Sequence, residues 1–310
     1  MAKRYYKKLA LLAKLEANYA VDSVPTGAEN AILATNATIT PLAGEEVSRD
    51  LLLPYLGNQG VELVGTYVQL EFDVEVAGAG ELGKAPAYGP LLRASGLSET
   101  IEVGVKVDYQ PVSDGFEAAS VYYNSDGVRH VMLGARGNVT FGFTPKQIPR
   151  YRFTLQGLLG TITDTPLPAV TLTGFQRPIP VSKANTTFSL FGLAGVTESV
   201  TFDLGEQVEG RFLIGSESIE ITDRGSSGQA VIEATSLAIK DWFALAQDRT
   251  RGELTLVHGT VPGNTVEIFS PGVEIGRPTE GQTQNIRNYT LPLTFCPSEA
   301  GDDEITITVR

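Results

Sequence analysis

One glycine-rich segment has the spacing of a dinucleotide-binding loop. It reads Gly78-Ala79-Gly80-Glu81-Leu82-Gly83 and follows a β-strand pattern. Such a loop holds a pyrophosphate only where a helix begins, because the helix N-terminus supplies the N–H donors. Pro86, Gly89 and Pro90 would interrupt that helix. The preceding strand pattern is also half polar, whereas a strand of a dinucleotide-binding sheet is buried on both faces. The sequence therefore predicts a loop without a cofactor.

The other side chains that could do chemistry are scattered. The two histidines, His130 and His258, fall in separate predicted hairpin strands, without the cysteines or spaced carboxylates of a metal site. Asp302-Asp303-Glu304 could bind a cation but is more typical of a solvated turn. The single cysteine, Cys296, excludes an internal disulfide and is predicted to be a small buried residue. No nucleophile stands beside an evident base, so we predict no catalytic, cofactor-binding or metal site and no enzyme activity.

Composition and charge limit the class of protein. The chain has 310 residues, enough for two ordinary domains or one large all-β domain, and its 33 glycines and 17 prolines indicate many turns. The net charge is −12, but the first fourteen residues carry five basic and no acidic side chains. The remainder has 19 basic and 36 acidic residues, a net charge of −17. Tight DNA binding needs cations that replace phosphate counterions, so we expect a body that could surround DNA without holding it.

The basic N-terminal segment, Met1–Val21, admits three interpretations. It resembles a targeting helix or signal peptide, although Lys14 and Glu16 interrupt its apolar stretch. It could instead be an arm that docks on the acidic surface of a neighbouring molecule, or a first strand or helix that packs on its own domain. The candidate residues of an inter-subunit arm are Lys3, Arg4, Tyr5, Lys7, Lys8, Leu9 and Leu11.

Strict alternation of apolar and polar residues predicts the strands. The segment Tyr67–Val76 has one apolar face, and alternation of this kind gives one buried and one wet face. Residues Ile101–Tyr109 alternate in the same way and predict another strand, while Asn124–Gly127 and Pro262–Asn264 mark hairpin turns. A last strand is predicted over 305–309. The polar positions of the first strand form an acidic face made of Gln69, Glu71, Asp73 and Glu75.

Two short helices and one boundary complete the outline. Helices are predicted over Tyr88–Ser95 and Thr235–Gln247. We expect Trp242 to anchor the second helix to a sheet, with stacking on a ligand as the alternative. The proline-rich segment Thr165–Pro180 predicts a boundary between a first domain, residues 1–170, and a second domain, residues 171–310.

The chain also presents one order of segments twice. The order is an alternating strand, a short helix, a hairpin, a glycine-marked strand and a closing strand, first from about Ile39 to Leu159 and again from about Phe212 to Phe295. Val139 matches Val273 and Tyr151 matches Tyr289, at similar offsets along the chain. Chance similarity between β-rich segments is the alternative. A doubled unit would let a ring present twice as many units as it has chains.

Several short motifs, taken in order, resemble the major tail tube proteins of long-tailed bacteriophages, in the longer form of Mu-like siphophages. The resemblance runs over nearly the whole chain, and one segment, Thr279–Gln284, is less acidic than the family pattern. The motifs are Leu11–Glu16, Pro25–Ile32, Ile39–Leu42, Glu46–Asp50, Leu91–Gly96, Val257–Thr260 with Gly263-Asn264, and Asp302–Ile307.

The resemblance implies a mainly β protein of two tandem β-sandwich-like units, each with a short flanking helix. Sheets of neighbouring copies would join side by side into a β-barrel ring, and stacked rings would form a tube. The tube would house the tape-measure protein, meet tail terminator or tip proteins and conduct DNA without binding it specifically.

Further expectations follow for assembly and location. A trimer with a pseudo-six-fold ring is favoured over a hexamer whose second half lies outside, and the acidic face at Glu71 is expected to line the channel rather than the outer wall. The protein would assemble in the host bacterial cytoplasm, contact no membrane and end in the virion tail. A β-sandwich adhesin or carbohydrate-binding module is the alternative function.

Overall fold

The computed structural model describes residues 3–310, which are mainly extended backbone. The strands of the first half are β1 (Leu9–Leu15), β2 (Ala31–Ile32), β3 (Ala34–Ser48), β4 (Val61–Glu75), β5 (Leu97–Glu102), β6 (Lys106–Pro111), β7 (Ala119–Ser125), β8 (Val128–Phe143) and β9 (Arg150–Asp164). Those of the second half are β10 (Thr186–Leu190), β11 (Thr197–Asp203), β12 (Glu206–Leu213), β13 (Ser216–Arg224), β14 (Ser227–Glu233), β15 (Gly252–His258), β16 (Val266–Ile275), β17 (Thr279–Thr283), β18 (Ile286–Phe295) and β19 (Thr306–Val309). The helices are α1 (Gly89–Ala94) and α2 (Trp242–Gln247), and no helix of the described residues has the length and apolar character needed to cross a membrane.

The predicted alternating strand and both predicted hairpins are confirmed. In β4 the apolar side chains Val68, Leu70, Phe72 and Val74 are all buried, and the polar positions between them lie on the opposite face. The hairpins are β7–β8 and β15–β16, and the C-terminal strand is β19. The fold class predicted from the sequence, mainly β with short flanking helices, is therefore correct.

The single strand predicted over Ile101–Tyr109 is wrong. The chain turns back at Gly104, so that β5 and β6 form a hairpin with Ile101 opposite Val107. Gly104 has φ +73°, a conformation that glycine adopts without strain, and Val103 at the turn is 87% exposed. Alternation continues through the turn in the sequence, and this is why the pattern did not reveal the break.

The second helix is shorter than predicted and begins at Trp242 rather than Thr235. Ser236 instead nucleates a turn, in which its carbonyl accepts from the N–H groups of Ile239 and Lys240. Asp241 then takes an extended conformation, and its carboxylate accepts from the N–H groups of two residues in the first helical turn. A side chain that caps in this way marks the start of a helix. The first helix, α1, lies where it was predicted.

The two halves of the chain share one strand order. In the first half antiparallel neighbours follow the order β1-β7-β8-β9-β4-β3. In the second half the order is β10-β15-β16-β18-β14-β11. The helix lies at the same place in both, after β4 and after β14. The glycine-marked segments do not coincide, however, because Val139 pairs with Phe153 whereas Val273 pairs with Phe295.

One continuous apolar core spans both halves. Phe141 and Phe153 of the first half lie in the same buried cluster as Phe202, Leu291 and Ile307 of the second. The halves are also joined by strand pairing, β8 with β11 and β6 with β19. The division into domains at about residue 170 stays a prediction, since each half contributes side chains to the shared core.

Candidate assembly surfaces

Eight strands form a continuous antiparallel series through both halves, which we call the eight-strand run. Its order is β3-β4-β9-β8-β11-β14-β18-β17. The run passes from one half to the other at β8–β11 and ends at β3 and β17. Within residues 3–310, β3 pairs only with β4 and β17 only with β18, so the outer edges of β3 and β17 have no partner strand. The run therefore ends in two rows of backbone groups that are available for pairing.

One face of the eight-strand run is polar from strand to strand. A single row across it contains Asp73, Arg152, Thr140, Asp203 and Ser227, which are paired in register on successive strands. A shallow groove of about 650 Å³ follows this row where the two halves meet. The opposite face carries the buried core. The run is thus a sheet with one polar surface that both halves share.

The acidic face predicted on β4 is part of this polar surface, and arginines of β9 lie beside it. Arg152 Nη2 lies 2.7 Å from Glu71 Oε2, and Arg150 Nη2 lies 3.9 Å from Glu75 Oε1. Asp73 is buried and accepts from Asn36 Nδ2 at 2.7 Å. The surface is consequently less negative than the β4 sequence alone indicated. Sequence reasoning missed these arginines because β9 is distant from β4 along the chain.

The junction of the two halves is a strand pairing sealed by aromatic side chains. Phe202 of β11 lies opposite Phe141 of β8, and the two rings stack with centroids 4.9 Å apart. Phe295 stacks on the other side of Phe202 at 5.7 Å. Stacked aromatic pairs add stability beyond the area that they bury, so this edge pairing is a permanent part of the subunit.

The hairpin β12–β13 forms a separate two-stranded sheet that leans on the first half. Ile219 of β13 is fully buried there, and its backbone N–H and C=O bond the Tyr19 hydroxyl and the Arg136 guanidinium. Arg136 also forms an ion pair with Glu220. On the other side, Phe212 stacks on Tyr67 with ring centroids 6.3 Å apart. The first half therefore provides a complementary binding surface for a hairpin of the second half.

A partly buried network of ionisable side chains joins the base of this hairpin to the C-terminal segment. The Arg224 guanidinium lies 2.5 Å from Glu304, 2.9 Å from Asp302 and 4.0 Å from Glu206. It also donates to the carbonyl of Val112 at 2.8 Å. Burial raises the pKa of Glu206 to about 8, against the opposing effect of Arg224. No sequence pattern indicated this network, because Arg224 is distant along the chain from both Val112 and the C-terminal carboxylates.

The predicted arm is tied in part to its own chain. Arg4 donates to the carbonyl of Ser125 at 2.6 Å, and the N–H of Tyr5 donates to Asp126 Oδ2 at 2.5 Å. Leu9 and Leu11 belong to β1 and pair with β7, while Lys3, Lys7 and Lys8 are exposed. Residues 1 and 2 of the predicted segment lie outside the described residues. Docking of the exposed part on a neighbour stays a prediction.

The tryptophan and the two histidines considered in the sequence as candidate functional residues all make packing or hydrogen-bond contacts within the chain. Trp242 is 1% exposed and meets Phe191 edge to face at 6.2 Å, and its role as the anchor of α2 stays a prediction. His258 is buried, with Nδ1 2.8 Å from the Thr186 hydroxyl. His130 lies on β8 beside Tyr123. Among the described residues there is no group of three or more potential metal ligands.

The glycine-rich segment is a loop that helps to join the two halves. The N–H of Gly80 donates to the carbonyl of Gly263 at 2.8 Å, and the N–H of Gly78 donates to Asn264 Oδ1 at 2.7 Å. Its glycines thus allow close approach to the β15–β16 turn. Cys296 is half-buried rather than fully buried, because it directly follows the end of β18. Burial, with the nearby Glu274 carboxylate, raises the pKa of its thiol.

Comparison with known proteins gives one match that spans most of the chain. Residues 7–295 match the family model described as phage tail tube protein. A search of curated proteins gives no match. The matched range includes every strand of the eight-strand run and the hairpin β12–β13.

Proposed function

The chain belongs to the phage tail tube protein family, and from that premise we propose that three copies close into a ring with pseudo-six-fold symmetry. The protein is a structural subunit of a tail tube: it is a component of the virion tail, assembles with itself into a stacked tube and associates with other tail components. This structural role points away from catalysis. We further propose that the tube belongs to a long-tailed, siphovirus-type phage of the Mu-like kind.

The observation that supports the trimer is the doubled strand order, together with the eight-strand run. If the two halves are equivalent units, three chains present six units and twenty-four strands. Barrels of sixteen to eighteen strands already leave a water-filled channel, whereas eight strands enclose only side chains. A closed ring also requires a head-to-tail contact, and the run offers two different free edges for it. A hexamer with the second half outside is the second candidate.

The proposal also includes the molecules that occupy the channel. The channel would hold the tape-measure protein before infection and pass DNA afterwards, with terminator and tip proteins at its ends. The polar surface of the run would face this channel, because the opposite surface is occupied by the core. Assembly would take place in the host bacterial cytoplasm. The family match favours this function over the adhesin or carbohydrate-binding alternative.

Native mass spectrometry and negative-stain microscopy of the purified protein test the proposal. We expect tubes or rings in the micrographs. Partial disassembly should release a closed species with three times the chain mass of 33.1 kDa. A ring with six times the chain mass, in which β14 and β18 lie away from the channel, would contradict the trimer. A protein that stays monomeric at high concentration would contradict the tube itself.

A further inference from the structure

The contact between the two halves of the chain offers a template for the contact between chains. The eight-strand run consists of two sets of four strands, β3-β4-β9-β8 in the first half and β11-β14-β18-β17 in the second. Inside the subunit the two sets join where β8 pairs with β11. Within residues 3–310 the outer edges of β3 and β17, at the two ends of the run, have no partner strand. One pairing is thus made internally, and the equivalent pairing is left unmade.

Strand register identifies the equivalent residues. In the first half Ile39, Leu70 and Leu155 lie opposite one another across β3, β4 and β9. In the second half Phe202, Gly228 and Leu293 form the corresponding row across β11, β14 and β18.

β17 likewise corresponds to the end of β8, because Phe141 pairs with Tyr151 of β9 and Glu280 pairs with Tyr289 at the equivalent position of β18. Ile39 and Phe202 occupy equivalent positions, so Thr38 and Thr201, one residue earlier on each strand, also correspond. Gly142, which faces Thr201 inside the subunit, corresponds to Gly281.

Two projecting hairpins occupy equivalent places in the two halves, the outer part of β3–β4 in the first and β12–β13 in the second. β13 leads directly into β14, so Ile219 and Ile221 correspond to Val61 and Leu63 of β4. Ile219 and Ile221 are 0% and 7% exposed because the hairpin of the second half lies on the first half. Val61 and Leu63 are 52% and 51% exposed. The first-half hairpin thus carries an apolar pair at the equivalent positions, but residues 3–310 leave about half of each side chain uncovered.

We propose that the internal junction is repeated between copies: β3 of one subunit pairs antiparallel with β17 of the next, with Thr38 opposite Gly281. In this arrangement the β3–β4 hairpin covers the second half of the neighbouring copy, as β12–β13 covers the first half within the chain. A groove of about 480 Å³ near Glu274, Gly276 and Pro278 lies beside β17 and receives the apolar pair. The inference rests on the proposed ring and supplies its contact.

The residue types at the two junctions differ as expected, because one junction forms when the chain folds and the other only when copies assemble. The internal junction carries Phe141 and Phe202, which are buried as the chain folds. At the equivalent places the open edges carry Glu280, which is exposed and bonds Arg287, and Ile39, which is half-buried. All five residues of β17 are exposed. An edge that stays open until assembly is protected from aggregation by polar side chains, whereas a permanent junction can use aromatic ones.

Disulfide trapping tests the register. Thr40 and Thr279 are both exposed, and they correspond to Asp203 and Thr140, which are paired inside the chain. Residues directly opposite in an antiparallel pair have Cα atoms about 4.5–5.5 Å apart, within the range that a disulfide spans. Two variants, Thr40→Cys and Thr279→Cys, are made in a Cys296→Ser background, mixed, assembled and oxidised.

A covalent dimer in the mixture, absent from either variant alone, is the expected result. A chain that carries both cysteines should yield disulfide-linked oligomers containing up to as many chains as the ring. Thr40→Cys mixed with Lys183→Cys, an exposed residue away from the junction, is the matched control and should give no dimer. Tubes that form from the first mixture without a dimer would overturn the edge pairing and leave the tube subunit intact. Failure of the unmodified chain to assemble would overturn the ring and this pairing together.

A second pair of variants separates assembly from folding. Leu63→Ser should change the melting temperature of the dispersed subunit little and reduce polymer formation at least tenfold, because Leu63 is half exposed in the subunit and the proposed contact covers it with the neighbour. Ile221→Ser should instead lower the melting temperature of the dispersed subunit, because Ile221 is covered inside the chain. Normal polymerisation of the Leu63→Ser variant would show that the hairpin does not lie on the next copy.

Discussion

Glu206 is a carboxyl group that the fold takes out of water without giving it a hydrogen-bond partner. Its side chain is fully buried, and neither oxygen bonds any group in residues 3–310. Arg224 is 4.0 Å away and is shared with Glu304 and Asp302. Burial is the main cause of the rise in the pKa of Glu206 to about 8, and Glu304 and Asp223 add to it. Near neutral pH this residue is therefore protonated in the folded subunit.

The dispersed subunit should lose stability as the pH rises from about 4.5 to 8. Over this range the folded state keeps a proton on Glu206 that the unfolded state has released, so the free energy of unfolding falls with pH. A shift of this size corresponds to at most about 5 kcal/mol. Glu206→Gln removes the titration, so its stability relative to the unmodified chain should grow from pH 5 to pH 8. Urea unfolding at pH 5, 6.5 and 8 measures this difference.

Glu209→Gln is the control for this comparison. Glu209 lies on the same strand, β12, and is exposed, so its replacement should change the free energy of unfolding equally at all three pH values. A constant difference between Glu206→Gln and the unmodified chain across the range would show that Glu206 ionises normally in the folded protein.

Among the elements, the two projecting hairpins show how one pattern has been used in two ways. In the first half β3 and β4 are continuous strands of 15 residues each. In the second half the hairpin is divided into β11–β12 and β13–β14, and the chain bends at Gly205 with φ +70°. A side chain at Gly205 would collide with the carbonyl of Gly225, so only glycine allows the two strands to approach here. The bend lets β12–β13 fold back on the first half, while β3–β4 continues outward.

The arm is the other element that reaches beyond the core. Deleting Met1–Lys8 should leave a folded subunit, because β1 and its pairing with β7 begin only at Leu9. It should nevertheless slow tube growth, since the exposed basic and aromatic side chains that could meet an acidic neighbour are removed. Single surface ion pairs contribute only about 0–1 kcal/mol, so apolar contact by Tyr6, which is 83% exposed, is part of the expectation. Light scattering during polymerisation measures the rate.

A double substitution distinguishes docking from loss of the intramolecular contacts. Tyr6→Ser with Lys7→Glu leaves the bonds of Arg4 and Tyr5 to the β7–β8 turn in place. Arg4→Ala removes both bonds that Arg4 donates to that turn, to the carbonyls of Ser125 and Asp126, without altering Tyr6 or Lys7. Slow growth of the first variant and normal growth of the second would support docking. Tube growth at the normal rate by the deletion variant would show that the arm has no part in assembly.

At the scale of the whole molecule, sequence patterns predicted local elements better than their partners. The alternation in β4 was readable because each apolar side chain from Val68 to Val74 meets the core. The start of α2 carried a signal in Asp241, a capping residue, but the helical pattern around it was extended too far. The turn at Gly104 was missed because its hairpin preserves the alternation on both sides.

Long-range pairing was not accessible in the same way. Nothing in β8 or β11 alone indicates that Phe141 and Phe202 face each other, because any apolar strand of suitable length could supply such a partner. The Arg224 network and the Arg152 contact with Glu71 depend on the same distant pairings. The proposed channel surface was therefore predicted as an acidic strand, whereas the structure provides a polar surface of mixed charge.

The mixed charge of the polar surface allows a test of whether this surface lines the channel. Like charge keeps a passing DNA backbone from adhering, so a negative channel should conduct DNA faster than a neutral or positive one. Glu71 and Glu75 lie on the polar surface, and Arg152 and Arg150 neutralise part of their charge. In the second half the corresponding strand, β14, carries Gln229 at the position of Glu71. In a ring of six units, charged and neutral side chains would then alternate at this position. Each Glu71 carboxylate would therefore contribute a larger share of the negative potential in the channel.

Glu71→Lys with Glu75→Lys should leave tube assembly intact and slow DNA ejection from complete virions. The delay should be greater at low ionic strength, where the screening length is about 30 Å at 0.01 M against about 10 Å at 0.1 M. Arg152→Gln is the matched control: it breaks the same ion pair with Glu71 but makes the surface more negative, so ejection should be no slower than normal. Slow ejection in both variants would attribute the effect to the broken pair rather than to charge. Ejection at the normal rate by the double lysine variant, at both ionic strengths, would place β4 on the outer wall of the tube.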